Sequence, residues 1–150
     1  MNNFLLGATI MAALTAFAVD TALPVSAGVK QPQVVQVSLG GEAGSPMTIK
    51  LDVPAVKAGL VEFDVSNDAI GTDHEVVLVK LDSKDQTIAA SPKSHRVDED
   101  KLKSLGEVGG LKPGDKGTLT VELTAGDYVL LCNHKQHYEL GMYTPFTVTQ

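Results

Sequence analysis

The chain has 150 residues, 43% apolar and 20% charged, which is enough for one domain with a sizeable core and does not suggest disorder. Twelve Lys and Arg against eighteen Asp and Glu leave a net charge of −6. With no clustered basic stretch, that balance argues against a nucleic-acid or anionic-membrane surface. The single cysteine excludes an internal disulfide, a Cys-rich zinc module and a dithiol redox pair.

The first element is a leader. Phe4 to Val19 is an uncharged, mostly apolar run of sixteen residues that ends at Asp20. It is shorter than the roughly 20 residues a spanning helix needs and falls in the range of a signal-peptide core. Val25-Ser26-Ala27 offers a small-residue cleavage site before Gly28. It is preferred over Ala16-Phe17-Ala18 because Pro24 and polar turn residues separate it from the apolar run. The stretch Met1-Asn2-Asn3 carries no basic side chain, and an uncleaved tether or a buried N-terminal helix is the alternative reading. No Arg pair is present, which excludes a twin-arginine leader. The expectation is a Sec-type signal peptide over residues 1–27 and an exported domain over residues 28–150, without stable membrane insertion once the leader is cleaved.

Beyond the leader the pattern has period two with frequent turns. Val34 to Leu39 alternates and stops at Gly40-Gly41. Met47 to Val53 alternates again and stops at Pro54. Leu60 to Val65 follows, closed by Ser66-Asn67-Asp68. His74 to Leu81 contains Val76, Val77, Leu78 and Val79, a run apolar enough for a central strand. Thr118 to Leu123, Tyr128 to Cys132 and Tyr143 to Thr149 complete seven β-rich runs, which predict an all-β sandwich. Asp82 to Gly114 is long and polar. It reads as a surface excursion between sheets, with Asp98 to Leu105 able to form two helical turns.

The chemistry concentrates in Cys132-Asn133-His134-Lys135-Gln136-His137-Tyr138-Glu139-Leu140-Gly141-Met142, between the last two strands. This loop spaces a thiolate, an imidazole and a thioether five residues apart. A second imidazole, His74, opens the central strand. Two imidazoles, one thiolate and one weak thioether suit copper cycling between its two oxidation states. Taken singly, Cys132 or Met142 would be core filler and His74 a strand-end histidine; order, spacing and strand context together argue otherwise. His134 leaves open a zinc site with His74, Cys132 and His137. Two residues past the cysteine on a tight loop, its ring is expected to face solvent. His95 reads as a solvated surface histidine.

With these residues the chain resembles the cupredoxins, the small blue-copper proteins, over nearly all of residues 28–150, and most of all exported members with a Cys-x4-His-x4-Met loop. Ala58-Gly59-Leu60-Val61-Glu62-Phe63-Asp64-Val65-Ser66-Asn67, His74-Glu75 and Leu111-Lys112-Pro113-Gly114 before Thr118-Leu119-Thr120-Val121 also fit. So does the closing Gly141-Met142-Tyr143. The resemblance implies a Greek-key sandwich of about seven to eight strands. It also implies one type 1 copper ion, with His74, Cys132 and His137 equatorial and Met142 axial. One departure is the Lys135-Gln136 step, where many relatives have Pro-Gly.

The implied function is a periplasmic, monomeric one-electron carrier, not an enzyme, that exchanges electrons with redox partner proteins. His137 would be the electron port, surrounded by Tyr138, Leu140 and Gly141, with Lys135 and Glu139 as a charged rim. The alternative is a copper-handling protein (a chaperone, storage or resistance factor) that delivers the metal to copper-accepting proteins. A dinuclear copper site would need two cysteines and a trinuclear centre paired His-x-His motifs, and the sequence has neither. It also lacks nucleophile, phosphate-loop and zinc-protease signatures.

Overall fold

The alternating runs fold into nine strands in the computed structural model, which describes residues 30–150. The expected leader, residues 1–27, lies outside the described residues. The strands are β1 (Gln33–Gly40), β2 (Thr48–Leu51), β3 (Ala55–Lys57), β4 (Gly59–Asn67), β5 (His74–Lys80), β6 (Lys103–Leu111), β7 (Lys116–Leu123), β8 (Gly126–Leu131) and β9 (Tyr143–Thr149). They form a four-stranded sheet of order β2-β1-β4-β7 and a five-stranded sheet of order β3-β9-β8-β5-β6. The chain passes repeatedly from one sheet to the other, in the manner of a Greek key. Most neighbours are antiparallel, whereas β1 with β4 and β3 with β9 run parallel.

Period two puts alternate side chains on one face, and those faces meet as the core. Val35, Val37 and Leu39 of β1 and Val61, Phe63 and Val65 of β4 face Val76 and Leu78 of β5, Tyr128 and Leu130 of β8, and Phe146 and Val148 of β9. Phe63 and Phe146 join the sheets edge to face, with ring centroids 5.3 Å apart. Cys132 and Met142 belong to this same cluster, so the ligand loop is rooted in the core.

The sandwich is as expected, with two strands more than the seven runs read from the sequence. β3 has three residues, too short to carry an alternation signal. β6 corrects the reading of the polar excursion: its second half is an edge strand paired antiparallel with β5. The expected helical turns over Asp98 to Leu105 reduce to one 3-10 turn, Glu99–Lys101, before β6 begins. Three glycines and weak alternation hid this strand, and one of the glycines has a packing reason. At Gly106, with φ at 145°, a Cβ would stand 2.8 Å from Leu119 Cδ1.

The first half of the excursion folds back over the outer face of the five-stranded sheet. There Val77, Val79, Val129 and Leu131 form a second small core, covered by Leu81, Ile88, Leu102 and Tyr138. β5 is thus buried on both sides, which is why its sequence is continuously apolar rather than alternating. No helix among the described residues is long and apolar enough to cross a membrane.

Candidate metal centre

His74 opens β5 and is fully buried. Two polar clamps fix the loop that leads into it. Asn67, itself buried, donates from Nδ2 to the carbonyls of Thr72 and Leu111, and its Oδ1 accepts from Ala69 N. The Glu42 carboxylate accepts from the Ile70 and Gly71 amides and the Thr72 hydroxyl, which hold it below the usual carboxylate range. His74 Nε2 lies 3.1 Å from the Gly41 carbonyl oxygen. A carbonyl can only accept, so Nε2 carries the proton and Nδ1 keeps a free lone pair aimed inward.

The other candidates come from the coiled loop after β8. Cys132 N donates to Met142 O at 3.0 Å and Met142 N to His137 O at 3.0 Å, so the backbone laces all three residues together. Successive turns bring this about: His137 N bonds His134 O, Leu140 N bonds Gln136 O and Gly141 N bonds Tyr138 O. Gly141 sits at φ 89°, a left-handed position that glycine adopts without steric cost.

Loop and strand meet at one point. His137 Nδ1 is 3.3 Å from both Cys132 Sγ and His74 Nδ1, and the three donor atoms lie within 4.8 Å of one another. Burial sets the protonation of all three. It lowers His74 and His137, the latter to about 4 with help from the His74 charge, so both rings are neutral and able to donate a lone pair. It pushes the Cys132 thiol up to about 11, partly offset by the backbone amides of Glu75 and His134. Two neutral imidazoles and a thiol facing one another form a pocket suited to a soft cation, which would displace the thiol proton. Two nitrogens and one thiolate fit copper better than a hard ion. Met142, the expected fourth donor, is fully buried in the core at the base of the loop.

Two side chains behave otherwise than expected. The His134 ring faces solvent only in part: its side chain is 29% exposed, while Nε2 is buried without a hydrogen-bond partner, 4.0 Å from the Glu75 carboxylate. Glu75 stands just past His74 on the strand that the loop crosses, a neighbour that reasoning from loop length alone misses. His134 takes no part in the three-donor convergence. His95 is not simply solvated. Its Nδ1 is 2.9 Å from Glu139 Oε2, and its carbonyl accepts from Gln136 N. Tyr138, expected around the port, turns its hydroxyl to the Ile88 carbonyl instead. Glu42, Asn67, Asn133 and the Gly41 carbonyl were not anticipated, and no local sequence signal marks them.

The sequence matches no protein-family model and no curated protein. Solved structures do match. Auracyanin B shares 25% identity at a TM-score of 0.57, over 82% of this chain and 94% of its own. Auracyanin A, described as a "blue" copper protein from the green thermophilic photosynthetic bacterium Chloroflexus aurantiacus, shares 22% at 0.53, over 77% of this chain and 99% of its own. Rusticyanin from Thiobacillus ferrooxidans shares 17% at 0.55, over 79% of each chain. These likenesses carry the fold, and the donor cluster of this chain carries the metal.

Proposed function

We propose that this chain, a cupredoxin by its two-sheet fold and its His-Cys-His cluster, is a periplasmic blue-copper protein that binds one copper ion and passes single electrons between redox partner proteins. The observation that carries this reading is the convergence of His74 Nδ1, Cys132 Sγ and His137 Nδ1 within 4.8 Å, with the buried Met142 tied by backbone bonds to Cys132 and His137. His74, Cys132 and His137 would hold the ion, and Met142 would add a weak thioether donor. Bound copper supplies a one-electron redox couple. The chain's own part is to keep the donors in place while that couple turns over. His74 is fixed by the Gly41 carbonyl, and Cys132 and His137 by their backbone bonds to Met142.

His137 is the ligand that reaches the surface, half-buried where His74 and Cys132 are fully enclosed. That ring would be the route by which an electron reaches the site. Leu140 beside it is 53% exposed and offers an apolar contact for a partner that must dissociate quickly. Enclosure also weighs against copper delivery, because an accepting ligand would have to reach past His74 and Cys132 to the ion. Export to the periplasm rests on the leader sequence, and a monomer fits a carrier that docks transiently.

Titrating the purified protein with Cu(II) tests the reading. The expected result is one copper per chain by metal analysis and an intense visible thiolate-to-copper band. A colourless protein that holds zinc through sulfur would overturn it. Fast electron self-exchange between reduced and oxidised protein supports the carrier, whereas transfer of the metal itself to an apo-acceptor would assign the chain to copper handling.

A further inference from the structure

Among the described residues, two that are not glycine have a left-handed backbone: His95 at φ 56° and Gln136 at φ 70°. They are far apart in sequence and bonded to each other, the Gln136 N–H donating to the His95 carbonyl at 2.8 Å. Left-handed geometry is unfavourable for residues bearing a Cβ and persists where the surroundings enforce it. Gln136 immediately precedes His137, so its backbone angles set where the His137 ring points. It is also the second residue of the Lys135-Gln136 step, and the adjoining excursion supplies a contact that fixes it from outside.

We infer that residues 88–99 form a strap that holds the ligand loop in its metal-ready shape, and that His95 is a positioning residue acting through its main chain on Gln136. The strap has its own rigid turn, closed by His95 N to Ser91 O and Ser91 N to Arg96 O, both 2.8 Å, with Ala90 bridging Val97. It grips the loop at three points spaced three residues apart. At Asn133, Oδ1 accepts from Val97 N, Nδ2 donates to Val97 O and Glu99 Oε1, and the main-chain carbonyl accepts from Arg96 Nη1. At Gln136 the bond runs to the His95 main chain, and at Glu139 to the His95 ring. The donors Cys132, His137 and Met142 interleave with these points. The strap therefore takes up the strain of the loop without occupying the metal pocket. The inference rests on the copper reading for its consequence, slow metal release, and on the hydrogen bonds alone for its cause.

Two substitutions at His95 separate backbone from side chain. Both remove the imidazole bonded to Glu139; valine resists a left-handed backbone, whereas glycine adopts it freely. In the metal-free protein, His95→Val should speed amide hydrogen exchange at Gln136 by about tenfold or more, and His95→Gly should leave it nearly unchanged. In the copper-loaded protein the same ranking should appear in the rate of copper loss to EDTA and in the visible band, with His95→Val faster and spectrally shifted. Glu99→Ala, which removes one bond to Asn133 without touching backbone geometry, should speed release by a smaller factor. Unchanged exchange and release in His95→Val would overturn the strap, and so would equal losses in both His95 variants, since the imidazole–Glu139 contact would then be the cause. Wild-type protein that takes up no copper would sink the copper reading instead, while exchange at Gln136 would still report on the strap.

Discussion

The two sheets use the same alternating pattern and differ on their outer faces. The four-stranded sheet presents polar side chains to water, including Gln36 bonded to Asp64 and Thr120 bonded to Glu62. The five-stranded sheet hides Val77, Val79, Val129 and Leu131 under Leu81, Ile88, Leu102 and Tyr138. Every candidate ligand springs from the second sheet: His74 from the start of β5, and Cys132, His137 and Met142 from the loop between β8 and β9. A sheet buried on both faces resists the small shifts that a change of metal charge invites, whereas a sheet with one wet face is sufficient as a wall. The thicker cover lies on the side where geometry has to persist.

The largest expected effect is at the ligand end. Cys132→Ser should abolish the visible band entirely while the circular dichroism of the sandwich survives, because the core contacts of both sheets remain. Loss of the fold along with the colour would mean that the metal, not the double cover, holds the second sheet. Next comes the cover itself. Leu131→Ala, on the buried outer face, should cost about 2–4 kcal/mol in denaturant unfolding. Thr118→Ala, on the wet face of the other sheet, should stay within about 0.5 kcal/mol. Equal costs would erase the distinction between the sheets.

A smaller effect lies in pH. Cys132 keeps its proton up to about 11, and both site histidines titrate below their ordinary 6.5. Between those limits, copper uptake expels one proton, from the thiol. Affinity should therefore rise with pH, by about tenfold per unit across that window, and fall as pH drops. Competition titrations at several pH values measure this, and a flat profile would show that the thiol is not the displaced group. The most modest change is in potential. With His74, Cys132 and His137 untouched, Met142→Gln should lower the reduction potential if Met142 is a donor, since an amide oxygen favours the oxidised ion, and Met142→Leu should raise it. Voltammetry showing three equal potentials, with copper retained in each protein, would make Met142 a packing residue only.

What was legible in the sequence was what is local. Period-two runs gave the sandwich, and the five-residue spacing of Cys132, His137 and Met142 marked the loop. His74 could be joined to them only through the resemblance and its place at a strand start. What stayed hidden depends on contacts between distant segments. Asn67 bonds the carbonyl of Leu111, 44 residues away, and Glu42 caps amides 28 and 29 residues on. β6 was obscured because its three glycines, one of them packed against Leu119, leave little alternation to read. The buried side of the His134 ring was not legible because the Glu75 beside it comes from β5 and not from its own loop.

The burial of Cys132 also matters before any metal arrives. A thiol with its pKa pushed up to about 11 and no exposed surface has roughly one thiolate in ten thousand at neutral pH. Disulfide exchange and peroxide oxidation both proceed through the thiolate and need access to it. In an oxidising compartment an exposed lone cysteine would soon pair with another chain or be oxidised beyond recovery. Burial and a raised pKa both act against these routes at Cys132, which favours the thiol form from which a metal can displace the proton.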